Sequence, residues 1–137
     1  MRIEVLPQSR IPEVVQLWRD TGLTRPGNDA AADARQALFT ETSTVLIAVE
    51  NETILASVMV GFDGHKGWVY YLAVAPGHQG RGLGKAMMDA ATAWLGQYDA
   101  VELMLLVREG NEDVAGFYES LGFVRDEVFV MARRLTP

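Results

Sequence analysis

The stretch WVYYLAVAPGHQGRGLGKAMM, Trp68 to Met88, constrains the chain more than any other. It begins with two alternating sets that are both apolar: Trp68, Tyr70, Leu72 and Val74 on one, Val69, Tyr71 and Ala73 on the other. A strand of that kind is covered on both faces, which predicts a place in the centre of a sheet. Leu83, Met87, Ala91, Trp94 and Leu95 then fall on one face of a helix that ends near Gly96. Between strand and helix lie glycines 80, 82 and 84, with Arg81 and Lys85 among them. The first amides of a helix have no intrahelical partner and its dipole presents partial positive charge there, so this junction is built to take an anion, phosphate above all. Glycine permits positive φ and lets ligand oxygens approach the backbone without meeting a Cβ.

The remaining elements follow from periodicity. Met1 to Leu6 alternates as an edge strand. Ser9 is a candidate N-cap for a helix carrying Ile11, Val14, Val15 and Trp18, with Gly22 near its end. Asn28 or Asp29 is placed to cap a second, Ala-rich helix reaching about Phe39. Thr44 to Glu50 and Ile54 to Gly61, joined by the turn NET, read as a hairpin. Val101 to Val107 is a further apolar strand. Asn111 to Leu121 carries Val114, Phe117, Tyr118 and Leu121 on one helical face and is closed by Gly122, and Phe123 to Leu135 reads as one or two final strands. The order β, α, α, β, β, β, α, β, α, β predicts a mixed α/β (α+β) fold: a mostly antiparallel sheet of six to seven strands flanked by about four helices. At 137 residues without repeats or a shift of composition, a single domain over 1–137 is expected.

Composition narrows the function. The chain has no cysteine, which removes thiol nucleophiles and thiolate metal sites and fits a reducing compartment. No stretch reaches the ~18 apolar residues of a membrane span, so a cytoplasmic protein with no membrane partner is expected. A net charge of −6, with Arg81, Lys85 and Arg125 scattered, argues against nucleic acid. Two histidines without carboxylates at ligand spacing predict no metal site. Among phosphate loops, the nucleoside-triphosphate pattern fails: Gln79 stands where its first glycine belongs, and Ala86 replaces the hydroxyl after Lys85. The dinucleotide pattern GxGxxG fails as well, with Lys85 or Met87 at its third glycine.

The segment LAVAPGHQGRGLGKAMM, Leu72 to Met88, resembles the acetyl-CoA site of the GCN5-related N-acetyltransferase (GNAT) family, whose loop reads Q/R-x-x-G-x-G/A; here it is Gln79, Gly80, Arg81, Gly82, Leu83, Gly84. The later NEDVAGFYESLGF, Asn111 to Phe123, is similar to the family's second signature, in the family's order and spacing. The loop between the first two helices and GFDGHKGWVYYL resemble the small bacterial YpeA-like branch. The resemblance implies the GNAT fold, acetyl-CoA as cofactor with CoA as product, and transfer to a primary amine. It implies that the amides of Gly80, Gly82, Leu83, Gly84 and Lys85 hold the pyrophosphate, beside Gln79 and Arg81. The edge of Leu72, Ala73 and Val74 would then pair with the pantetheine arm, as an added strand would. The Leu72 amide is expected to face the thioester carbonyl, where a preorganised donor is worth about 2.7–4 kcal/mol. Tyr118 sits at the family's acid tyrosine, and Asn111 at a position that contacts the cofactor arm or caps the helix.

The general base is less determined. Asp63 and His65 in the turn DGHKG and Tyr70 on the strand are candidates, beside a water chain. The family builds its acceptor side from the first interhelical loop and the C-terminal strands. This maps to Thr24–Asp29 and about Asp126–Met131, with Arg25, Asn28, Asp29 and Tyr70 as candidate contacts. A small-molecule amine or a protein amino group fits as acceptor, and the chain as monomer or homodimer. A non-catalytic acyl-CoA sensor on the same fold is the alternative, and a nucleotide-binding module a weaker one.

Overall fold

The computed structural model describes all residues, Met1–Pro137, in two compact parts, Met1–Leu106 and Val107–Pro137. The first holds one sheet in sequence order, β1 (Arg2–Val5), β2 (Ser43–Glu50), β3 (Thr53–Phe62), β4 (Gly67–Val74) and β5 (Leu103–Met104). The first four strands pair antiparallel and β5 joins β4 in parallel. Asn51 and Glu52 both have positive φ in the two-residue turn between β2 and β3, the combination whose twist matches a hairpin.

Helices α1 (Ile11–Asp20) and α2 (Ala30–Phe39) cover one face, where Val14, Trp18, Ala34 and Ala37 pack with Val45, Ile47, Val49 and Ala73. Helix α3 (Leu83–Leu95) lies against the other, with Leu83, Met87, Ala91 and Leu95 buried. The apolar spacing read from the sequence is therefore what each helix buries. Asp29 caps α2, its carboxylate accepting from the Ala32 amide at 3.0 Å. Ser9 does not cap α1: a single 3-10 turn over Gln8–Arg10 precedes the helix, so Arg10 occupies the N-cap position and Pro12 sits in the first turn, where a missing N–H is harmless.

Three sheet expectations are corrected. The sheet has five strands, not six or seven. Its middle strand is β3, and β4 lies one place outward; apolar residues on both sides of β4 reflect helices on both faces, not centrality. The Val101–Val107 run forms a ladder only at Leu103 and Met104, opposite Gly67 and Trp68.

The second part contains α4 (Glu112–Ser120), closed by Gly122 at φ 96° with the Gly122 and Phe123 amides donating back to Glu119 and Tyr118. Within this part Tyr118 meets Phe117 and Phe123 edge-on, at ring-centroid distances of 5.1 and 5.7 Å. Arg125 bridges Glu112 and Glu119. Residues 123–135, expected as strands, form none, and Val124, Val128, Phe129, Val130 and Met131 are exposed. Alternation predicts a strand only where another strand offers a ladder, and the second part holds no other.

Candidate active site

The glycine loop has the backbone that its composition predicts, with one exception. Gly80 and Gly82 both take φ 80°, whereas Gly84 is helical, in the first turn of α3. Gly82 is the N-cap in the left-handed region, and without a side chain it leaves the amides of Leu83, Gly84 and Lys85 uncapped. The first bond of the helix is Ala86 N–H to the Gly82 carbonyl, at 3.0 Å. A Cβ at Gly80 or Gly82 would meet nothing within 4 Å, so open space faces these positions. Around this cradle, Gln79 Nε2 donates to the Val74 carbonyl at 3.4 Å, and Arg81 lies between His78 Nδ1 (2.8 Å) and Glu50 (3.4 Å). Lys85 pairs with Asp89 one turn along α3, both exposed. Free amides rather than free cations thus face the opening.

Strand β4 supplies a second feature. Its ladder with β5 stops at Trp68 and Met104, so from Val69 to Val74 the β5 side of β4 has no strand partner. On the β3 side, Tyr70 faces Met59 and Ala73 faces Ser57, so Tyr71 and Leu72 together oppose Val58. Two residues against one is a β-bulge, and Tyr71 adopts φ 54°, which a non-glycine residue takes only when its surroundings hold it. The Tyr71 ring stacks on Trp18 at 3.9 Å and 14°, and its hydroxyl donates to Asp33 at 2.8 Å. Burial, then the Asp33 carboxylate, push this phenol well above its ordinary pKa. Ser57, fully buried, donates to the Tyr71 carbonyl at 2.9 Å and accepts from Trp18 Nε1 at 2.8 Å. The sequence shows Trp18 and Tyr71 only as apolar-face residues and does not mark Asp33 or Ser57; the available signal was a serine within an otherwise apolar strand.

A cleft of about 360 Å³ reaches Tyr70, the residue before the bulge, and is lined by Thr42, Ser43, Gly61, Phe62, Asp63, Trp68 and Tyr70. Gly67 faces Leu95 of α3, so by alternation Trp68 and Tyr70 point to the opposite face, that of α1 and α2. Their rings run nearly parallel, 6.5 Å apart, and Tyr70 is 47% exposed. Asp63 is committed to its turn. One carboxylate oxygen accepts from the Lys66 (2.6 Å) and His65 (2.7 Å) amides, and the other from Trp68 Nε1 (3.1 Å). Those donors, Lys66 first, hold its pKa below the usual carboxylate range. His65 is exposed on the same turn.

The remaining expected site residues fall elsewhere. Arg25 folds back onto the Gly22 and Thr24 carbonyls, the Asn28 amide closes the same loop on Arg25, and Asp29 caps α2. Asn111 occupies the N-cap position of α4 but makes no side-chain cap bond. Burial raises the Tyr118 phenol above its ordinary pKa.

A family model, the acetyltransferase (GNAT) family, matches residues 11–123, and the chain belongs to that family. It is an acetyltransferase, with acetyl-CoA as cosubstrate. An acetyltransferase of Yersinia pestis is 36% identical over 135 residues, spanning 98% of this chain and 96% of the relative. The aminoglycoside N-acetyltransferase AAC(6')-Iy, crystallised with CoA, superposes with a TM-score of 0.82 at 16% identity, covering 98% of this chain and 95% of that one. A ribosomal-protein-alanine N-acetyltransferase from Brucella melitensis gives 0.76 at 20% identity, covering 97% and 99%. Those two structures, named for very different acceptors, share the fold with this chain. No helix is long and apolar enough to cross a membrane.

Proposed function

We propose that the chain transfers the acetyl group of acetyl-CoA directly to a primary amine, using the amides at the start of α3 for the pyrophosphate and the open side of β4 for the pantetheine arm. The observation that carries this reading is continuity: unpaired strand edge, bulge and uncapped helix start follow one another within residues 69–85. They offer amide donors to an extended amide chain and then to a diphosphate, in the order in which those groups occur along CoA.

The Leu72 amide donates to the thioester carbonyl, whose oxygen gains charge as the amine attacks. The acceptor approaches from the cleft that holds Trp68 and Tyr70, whose ring faces suit a cationic amine before it loses its proton. Asp63, ionised and fully engaged, keeps the cleft acidic and is a poor proton acceptor. Tyr70, whose phenol burial and then Asp63 keep protonated, is no better, so the proton goes to His65 or to solvent. Tyr118 protonates the departing thiolate; what supports it is its place in the NEDVAGFYESLGF signature and a phenol that burial keeps protonated. The test is thermal melting with acetyl-CoA, CoA and ATP, followed by CoA release with a panel of amines. Stabilisation by acetyl-CoA and CoA but not ATP is expected, and a response to ATP alone refutes the reading.

A further inference from the structure

We infer that Ser57 is a positioning residue for acetyl transfer: its buried hydroxyl fixes the peptide unit that carries the Leu72 amide. This rests on the reading of that amide as the donor to the thioester carbonyl.

The Tyr71 carbonyl and the Leu72 N–H belong to the same planar trans peptide, so they point in opposite directions. A group that holds the Tyr71 oxygen therefore sets where the Leu72 hydrogen points. Ser57 Oγ holds that oxygen at 2.9 Å from β3, and the N–H is turned away from Ser57. At an ordinary strand position the ladder itself would orient this peptide. Here the ladder skips: neither Tyr71 nor Leu72 has its own partner on β3, and pairing resumes at Ala73 opposite Ser57. The serine holds this peptide where the register is irregular.

Its own orientation is not free either. Trp18 Nε1 can only donate, and it donates to Ser57 Oγ at 2.8 Å, which leaves the hydroxyl proton for Tyr71. The chain indole N–H to hydroxyl to carbonyl runs one way, so each bond polarises the next, and the far end of the polarised peptide is the Leu72 N–H. Ring stacking by Trp18 and the bond to Asp33 secure the Tyr71 side chain as well, holding a left-handed residue at three points. A hydroxyl needed only to satisfy the indole would not also have to meet the carbonyl of the left-handed residue of the bulge.

The test is infrared spectroscopy of [1-13C]acetyl-CoA bound to wild-type protein, Ser57→Ala and Ser57→Cys, with dissociation constants measured in parallel. In the wild type the thioester band should lie below its position in free acetyl-CoA, as for a hydrogen-bonded carbonyl. In Ser57→Ala it should return to the free position while affinity stays within about threefold, because the α3 amides are untouched. Ser57→Cys, similar in volume with a weaker donor, should fall between the two and covers the case in which the alanine variant does not fold. A wild-type band position in both variants overturns the role of Ser57 and leaves the proposed function standing. An unshifted band in the wild type overturns the Leu72 reading, and this inference with it.

Discussion

Replacing Gly82 with alanine separates the cost of folding the glycine loop from its use. Gly82 holds φ 80°, and a Cβ there would touch nothing within 4 Å. No packing term enters, and the stability cost is that of the left-handed backbone alone, about 1–2 kcal/mol for a residue with a Cβ. For a chain of this length that lowers the melting midpoint by roughly 3–8 °C. Gly77 is the control, with φ 85° and equally empty surroundings but placed before the loop, so Gly77→Ala should lose about as much. The two differ in ligand response. Acetyl-CoA at 100 times its dissociation constant adds about 2.7 kcal/mol to wild-type stability, and a hundredfold loss of affinity would cut this to about 0.4 kcal/mol. Gly77→Ala should keep the full rise in midpoint and Gly82→Ala should lose most of it, because its methyl group would stand in the open space proposed to receive the diphosphate. Equal rises in the two variants would refute the amide cradle.

Further outcomes follow from the same geometry. Tyr118→Phe should lower kcat about 10²-fold or more with the KM for acetyl-CoA nearly unchanged, read by CoA release. Since burial raises the Tyr118 pKa, the acid is protonated below that value; activity should persist through pH 9 and fall only as pH rises past the ordinary tyrosine value near 10. If His65 takes the ammonium proton, His65→Gln should lower kcat/KM for the amine; an unchanged value assigns the step to solvent. Gly67→Ala should destabilise by about 1–3 kcal/mol in chemical denaturation, because a Cβ there runs into the buried Leu95 side chain.

Much of this was legible before the structure. The stripes Ile11, Val14, Val15, Trp18 and Leu83, Met87, Ala91, Leu95 are local patterns, and each helix buries them. The glycine loop was legible because positive φ and a bare helix start are written in residue type. Position in the sheet was not: Trp68 to Val74 look central because both sides are apolar, yet periodicity reports coverage of faces and not the number of neighbouring strands. Nor does alternation in residues 123–135 say whether a ladder partner is within reach. The bulge was hidden for another reason. It depends on Ser57, Trp18 and Asp33, residues 14, 53 and 38 positions from Tyr71, and no window of sequence joins them. Asp63 looked like a free carboxylate for a different reason: its partners His65, Lys66 and Trp68 are all close in sequence, but residue type alone does not tell that the turn folds them onto its oxygens.

Amide hydrogen exchange with and without acetyl-CoA reads the proposed donors one by one. Slowed exchange at Leu72, Gly80, Gly82, Leu83, Gly84 and Lys85, with little change in α1, is the predicted result. Saturating acetyl-CoA that leaves those amides exchanging as in the free protein would contradict the account.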